Sequence, residues 1–152
     1  MPSVVLLLLM KRLKPLGTVF AALSLTITAS SVAVGCVCNV RSLSKRKGES
    51  RTVFVGTLIG QSQEIHDGQA LWRNHFAVER YRKGGGTTGV TVYTSTDDCA
   101  SHFESGRKYL VFAYFVKGGG RLETDSCMGT GRVEIVTEDL KKLGKGKQVQ
   151  TR

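Results

Sequence analysis

Acidic residues are missing from the first part of this sequence, where no aspartate or glutamate occurs before Glu49. Residues 10–14 carry a cluster of positive charge, residues 16–27 are mainly apolar, and residues 33–35 (AVG) have the small-x-small pattern that a signal peptidase accepts. We therefore predict that residues 1–35 are a signal peptide and that its removal makes Cys36 the first residue of a secreted or periplasmic protein. Because apolar residues precede the positive cluster, we expect translation to start at Met10 rather than at Met1.

Long apolar runs are also lacking. Serine and threonine interrupt the apolar part of the leader repeatedly, and no later stretch reaches the roughly 20 apolar residues of a transmembrane helix. This favours cleavage over an uncleaved membrane anchor. A lipoprotein is a further alternative, because residues 33–36 partly resemble a bacterial lipobox. A lipid on Cys36 would block its thiol and its amine, and would leave an odd number of cysteines.

The motifs of common enzymes are absent from the sequence, which has no nucleophile elbow, metal-ligand motif or phosphate loop. Its three histidines, His66, His75 and His102, stand apart from one another and from any partner in sequence. The triple-glycine stretches that begin at Gly84 and Gly118 each follow a predicted strand and open no helix, which indicates hairpin turns. We therefore predict a protein that is not an enzyme and needs no cofactor.

Positive charge is in excess, with 22 lysines and arginines against 12 acidic residues and a formal net charge of +10. Removal of the leader takes away three basic residues and no acidic one. Much of the remaining excess lies in residues 41–51 and 141–152. Such runs are typical of mobile, solvated surface and also attract polyanions or anionic membranes. We predict polyanion contact through the basic tail, no nucleic-acid partner, and membrane contact only if Cys36 carries a lipid.

All four cysteines follow the predicted cleavage site, at Cys36, Cys38, Cys99 and Cys127. An even number in a small exported domain indicates two disulfide bonds. A bond between Cys36 and Cys38 is the least favourable pairing, because the ring would be very tight. The two N-terminal cysteines are therefore expected to bond to Cys99 and Cys127, in either of the two remaining pairings.

The mature chain alternates short β-prone segments with glycine-rich turns and shows little helical periodicity. Strands are predicted at residues 51–59, 75–81, 90–94, 109–116 and 121–125, with an edge strand at 133–136, a helical turn at 100–103 and a short helix at 138–143. Gly56 is expected to mark a bulge in the first strand. Five strands connected in this way fit an all-β, closed barrel of the oligonucleotide/oligosaccharide-binding (OB) type. The domain is expected to cover residues 36–136, followed by a basic, flexible tail at 137–152.

Five segments carry a family resemblance. They are Cys36-Val37-Cys38; residues 53–57 (VFVGT); residues 76–78 (FAV) with Tyr81 and Lys83-Gly84; Cys99 with Phe103, Gly106 and residues 109–111 (YLV); and residues 122–127 (LETDSC). In this order, and with this cysteine placement, they resemble the tissue inhibitors of metalloproteinases, whose first domain is a netrin-like module. The likeness runs from Cys36 to about Gly131.

The resemblance implies a five-stranded barrel in which Cys36 is bonded to Cys99 and Cys38 to Cys127. It also implies a partner, a zinc metalloproteinase, whose zinc is chelated by the free amine and carbonyl oxygen of Cys36 while Val37 enters the specificity pocket. The protease-contacting ridge would comprise Cys36, Val37, Cys38, Asn39, Val40, Asp97, Asp98 and Cys99. The alternative is a non-inhibitory module of the same fold that uses its basic surface for polyanions or a protein partner.

Overall fold

The computed structural model describes residues 35–39, 41–118 and 120–149. Residues 1–34 of the predicted leader, Val40, Gly119 and residues 150–152 of the basic tail lie outside these ranges, so the cleavage site stays a prediction. No helix within the described ranges is long and apolar enough to cross a membrane. The elements in chain order are α1 Leu43–Glu49, β1 Thr52–His66, β2 Gln69–Lys83, β3 Gly89–Ser95, β4 Lys108–Phe115, β5 Leu122–Glu123, a 3-10 turn at Ser126–Met128, β6 Gly131–Arg132, α2 Thr137–Leu143 and β7 Lys147–Gln148.

Five strands form a closed ring. β1 pairs with β2 and β4, and β2 pairs with β3, all antiparallel. The short β5 closes the ring, because it lies parallel to β3 and antiparallel to β4. Outside the ring, β6 pairs with β4 and β7 with β2. The prediction of a mainly β fold with short helical segments is confirmed.

β1 and β2 are longer than predicted because they form one extended hairpin. Its turn is Asp67-Gly68, with φ angles of 51° and 78°, and His66 pairs with Gln69 across it. A two-residue Asp-Gly turn matches the right-handed twist of a hairpin and is a strong hairpin signal. The predicted strands stop short of this turn, because residues 60–66 are mostly polar and do not alternate like a half-buried strand.

Gly56 occupies the predicted bulge in β1, where the register with β2 shifts between Val55 and Gly56. A β-carbon at Gly56 would lie 2.7 Å from the carbonyl oxygen of Ala77 on β2. Only glycine therefore allows the two main chains to approach this closely.

Both faces of β4 are buried, which explains why its sequence is almost wholly apolar. Tyr109, Val111 and Ala113 contribute to the core inside the ring, together with aromatic residues such as Phe54 and Phe76. Because side chains alternate along a strand, the intervening residues face the other way. These residues, with Val53 and Val55 of β1 and Met128, form a second core.

The second core is covered by the two helices, through Leu43 of α1 and Leu140 and Leu143 of α2. Ser42 caps the start of α1 by accepting a hydrogen bond from the backbone of Lys45. The basic run at 41–51 is therefore partly an ordered helix that packs on the sheet, and the expectation of a purely mobile surface is corrected here.

Three other local expectations differ from the structure. Residues 100–103 form no helical turn, residues 133–136 form no strand, and the edge pairing on β4 comes from β6 instead. The predicted helix at 138–143 is present as α2, but the described part of the tail beyond it, residues 144–149, is ordered. β7 pairs with β2, and Val149 packs against the core inside the ring. This apolar contact offsets the polar composition on which the expectation of flexibility was based.

Candidate functional site

Two disulfide bonds hold the N-terminal segment against two loops at one end of the ring. They join Cys36 to Cys99 and Cys38 to Cys127, each with 5.1 Å between the Cα atoms. This is the pairing implied by the resemblance. The two bonds are neighbours, because the Sγ atoms of Cys36 and Cys127 are 3.9 Å apart. Paired cysteines of this kind fit an oxidising, extracellular environment.

The described N-terminal residues 35–39 belong to no helix or strand. Between its two bonded neighbours, Val37 is 91% exposed. Cys38 and Asn39 are also exposed, whereas Cys36 is half-buried. The segment is thus a short, covalently held ridge with an apolar side chain facing solvent. Val40, predicted to extend the ridge, lies outside the described residues.

The loop after β3 carries Cys99, and Asp97 shapes that loop. Its carboxylate accepts hydrogen bonds from the backbone N–H of Cys99 at 3.0 Å and from the hydroxyl of Ser95 at 2.6 Å. Its carbonyl oxygen accepts a hydrogen bond from the N–H of Ala100, which closes a turn over residues 97–100. Asp97 therefore positions Cys99, while the neighbouring Asp98 is exposed.

The loop after β5 carries Cys127, and hydrogen bonds to Asp125 fix the conformation of this loop. Its carboxylate accepts hydrogen bonds from the N–H of Met128 and from the hydroxyl of Tyr114. Burial, reinforced by the charge of Asp125, raises the pKa of the Tyr114 phenol well above its ordinary value, so this hydroxyl remains a donor. The N–H of Ser126 donates to the carbonyl oxygen of Cys99, which joins the two cysteine loops.

These supporting residues, Tyr114, Asp125 and Ser126, were not foreseen from the sequence. Asp125 has a local signal, since aspartate is a favoured N-cap and precedes the 3-10 turn. Tyr114 has none, because its contact depends on how β4 passes the Cys127 loop.

Within the described ranges, one group of three potential metal ligands lies close together, the sulfur atoms of Cys36, Cys38 and Cys127. All three belong to disulfide bonds, and a disulfide sulfur is not the thiolate that binds metal. The arrangement therefore serves to fix the ridge rather than to hold an ion.

The histidines have separate surroundings. His66 contacts the carboxylate of Glu64 at 3.1 Å, and His75 contacts the hydroxyl of Thr91 at 3.1 Å. His102 is exposed. The structure brings the four cysteines together with Asp97 and Asp98 at one end of the ring, and this group is the candidate site.

No protein-family model matches the chain, and no curated protein matches it significantly. The resemblance to tissue inhibitors of metalloproteinases therefore stays a prediction from the order of the sequence segments and the placement of the cysteines.

Proposed function

We propose that this protein is a secreted inhibitor of zinc metalloproteinases that acts through Cys36, exposed as a free N-terminus when the signal peptide 1–35 is removed. In this proposal the ring of strands is an OB-fold-like closed barrel of the netrin-like type. The observation that carries the proposal is Val37, an exposed apolar residue clamped between two cysteines that are each bonded to the domain.

The chemistry of the ridge suits a catalytic zinc ion. Such a zinc keeps one coordination position open for water or substrate. An unblocked α-amine has a pKa of about 7.7–8.0, so a useful fraction is neutral near pH 7 and has a lone pair to donate. The amine and carbonyl oxygen of Cys36 would displace the zinc-bound water as a compact chelate.

Val37 would enter the enzyme's specificity pocket next to the zinc. Complete burial of a valine side chain contributes roughly 1.5 kcal/mol or more. Because the disulfides already order the ridge, little conformational entropy is lost when it binds. Asn39, Val40 and Asp98 would border this contact. Asp97 would act indirectly, by positioning Cys99.

The direct test compares the protein that begins at Cys36 with a variant that has one alanine added before it. Inhibition of a panel of zinc metalloproteinases is expected to disappear in the extended variant, since its first amine is displaced from Cys36. Val37→Ala, which keeps the chelating atoms, is expected to weaken inhibition by about tenfold. Equal inhibition by the extended and unextended proteins would contradict the proposal.

Mass spectrometry of the mature N-terminus is the second measurement. A free Cys36 amine is expected. An acylated or lipidated Cys36 would rule out zinc chelation and support the alternative, a lipid-anchored binding module.

A second candidate function is polyanion binding by a non-inhibitory module. It is favoured by exposed lysines that have no carboxylate partner among the described residues, namely Lys45, Lys117, Lys142, Lys145 and Lys147. Binding to heparin should then weaken steeply with salt and be the same for the unextended and alanine-extended proteins.

A further inference from the structure

A cavity of about 390 Å³ opens at the other end of the ring from the cysteines. It lies where β1, β3 and β5 begin and where β2 and β4 end, whereas Cys99 and Cys127 follow the far ends of β3 and β5. Its volume falls within the range of small-molecule sites, about 300–1,000 Å³. The cavity is therefore separate from the proposed inhibitory ridge.

Two cations line this cavity, Arg51 and Lys83, and no acidic residue does. Neither cation forms an ion pair with any described residue. The Lys83 ammonium donates to the carbonyl oxygens of Lys47 and Gly48, at 2.7 and 2.9 Å. An ammonium has three N–H donors, so one is left for a ligand.

Arg51 is held without losing its donors. Its guanidinium carbon lies 5.8 Å from the centre of the Phe115 ring, a cation–π distance, and its backbone N–H donates to Ala113. No hydrogen bond from this guanidinium to a described residue is present. The positive charge of Arg51 thus lies at the cavity, and its guanidinium donors remain free to bind a ligand there.

The rest of the lining is largely apolar. It includes the ring of Tyr81 together with Val90, Leu122 and the half-exposed Phe115. The Tyr81 hydroxyl already donates to the carbonyl oxygen of Thr87 at 2.8 Å, so its polar group is paired and its contribution to the lining is mainly apolar. The cavity therefore combines two positive charges with apolar side chains that suit a hydrocarbon or aromatic group.

We propose that this cavity binds a small organic anion, in which a carboxylate, sulfate or sulfonate is attached to an apolar group. Arg51 and Lys83 would bind the anionic group, and the apolar lining would cover the attached group. Both parts are needed, because exposed cations alone bind isolated anions weakly in water.

Two fluorescent probes separate these contributions: 8-anilinonaphthalene-1-sulfonate, and N-phenyl-1-naphthylamine, which has the same aromatic body without the sulfonate. With the purified protein we expect saturable one-to-one binding of the sulfonate probe and about tenfold weaker binding of the uncharged one. Arg51→Gln should lower the affinity for the sulfonate probe about tenfold, which is the effect expected when a hydrogen bond to a charged group is lost. Arg107→Gln, a matched change at an exposed arginine outside the cavity, should leave binding unchanged.

Displacement by octanoate or by octyl sulfate then distinguishes a carboxylate ligand from a sulfate. Near-UV circular dichroism of each variant verifies that the fold is retained, since partly unfolded protein also binds such probes. Equal affinity of wild type and Arg51→Gln for the sulfonate probe, or equal binding of the two probes, would overturn the proposal. So would an effect of Arg51→Gln on heparin binding alone, which would assign Arg51 to an extended basic surface.

Discussion

Arg46 illustrates how one residue of a basic run can be used inside the fold. Its guanidinium donates to Asp139 of α2 at 2.7 Å and lies 5.1 Å from the centre of the Phe112 ring. Its side chain is only 12% exposed. Composition alone gave no way to separate Arg46 from its exposed neighbour Lys45, because the difference depends on which face of α1 meets the sheet.

Replacement of Arg46 by alanine is expected to lower the free energy of unfolding by about 2 kcal/mol. The change leaves the half-buried Asp139 without its ion-pair partner and removes a cation from the face of the Phe112 ring. The expected loss of stability lies between that for breaking an exposed ion pair and that for breaking a buried one. Urea unfolding measures the effect. Lys45→Ala is the control and should change stability by less than about 0.5 kcal/mol. Similar losses in both variants would contradict this role of Arg46.

Among the helices and strands, sequence predicted best those strands whose burial by neighbouring elements produces a regular pattern of apolar residues. β3 alternates because only one of its faces is buried, and β4 is continuously apolar because the ring core and the helix-covered core lie on its two faces. Both strands were predicted to within one residue at each end. The outer half of the hairpin of β1 and β2 has no such pattern, since most of its side chains face water.

The bulge in β1 can be tested with two glycines on the same strand. Gly56→Ala should destabilise the protein by about 2 kcal/mol, because the new methyl group would collide with the main-chain carbonyl of Ala77, which cannot move without disturbing the pairing with β2. A β-carbon at Gly60 would come no closer than 3.8 Å to its nearest neighbour, His75. Gly60→Ala should therefore be nearly neutral in a denaturant titration, and equal losses would argue against this account of the bulge.

For the whole molecule, the sequence located the cysteines but not their partners. Spacing excluded only the bond between Cys36 and Cys38, and the pairing was supplied by the family resemblance. The sulfur atoms of the two bonds lie so close together that local geometry gives little reason to prefer one pairing. What decides it is the arrangement of the β3 and β5 loops, which is a property of the closed ring.

Each disulfide is expected to stabilise the whole domain by about 4 kcal/mol, because the bonds span 63 and 89 positions and restrict the unfolded chain strongly. Removing one pair at a time, as Cys36→Ala with Cys99→Ala or Cys38→Ala with Cys127→Ala, should produce losses of this order in guanidinium unfolding. The second double variant keeps Cys36 bonded and tests the ridge separately. Inhibition by this variant should weaken, because a ridge held by one disulfide loses more conformational entropy when it binds the protease. Wild-type stability in both double variants would contradict the estimate.

The N-terminal segment is attached in an unusual way. Within the described ranges, no backbone hydrogen bond links residues 35–39 to the sheet, and the two disulfide bonds attach this segment to the cysteine loops. In the proposed inhibitor, removal of the predicted leader changes the Cys36 nitrogen from an amide to an amine, and the bond to Cys99 holds the residue that carries this new zinc ligand.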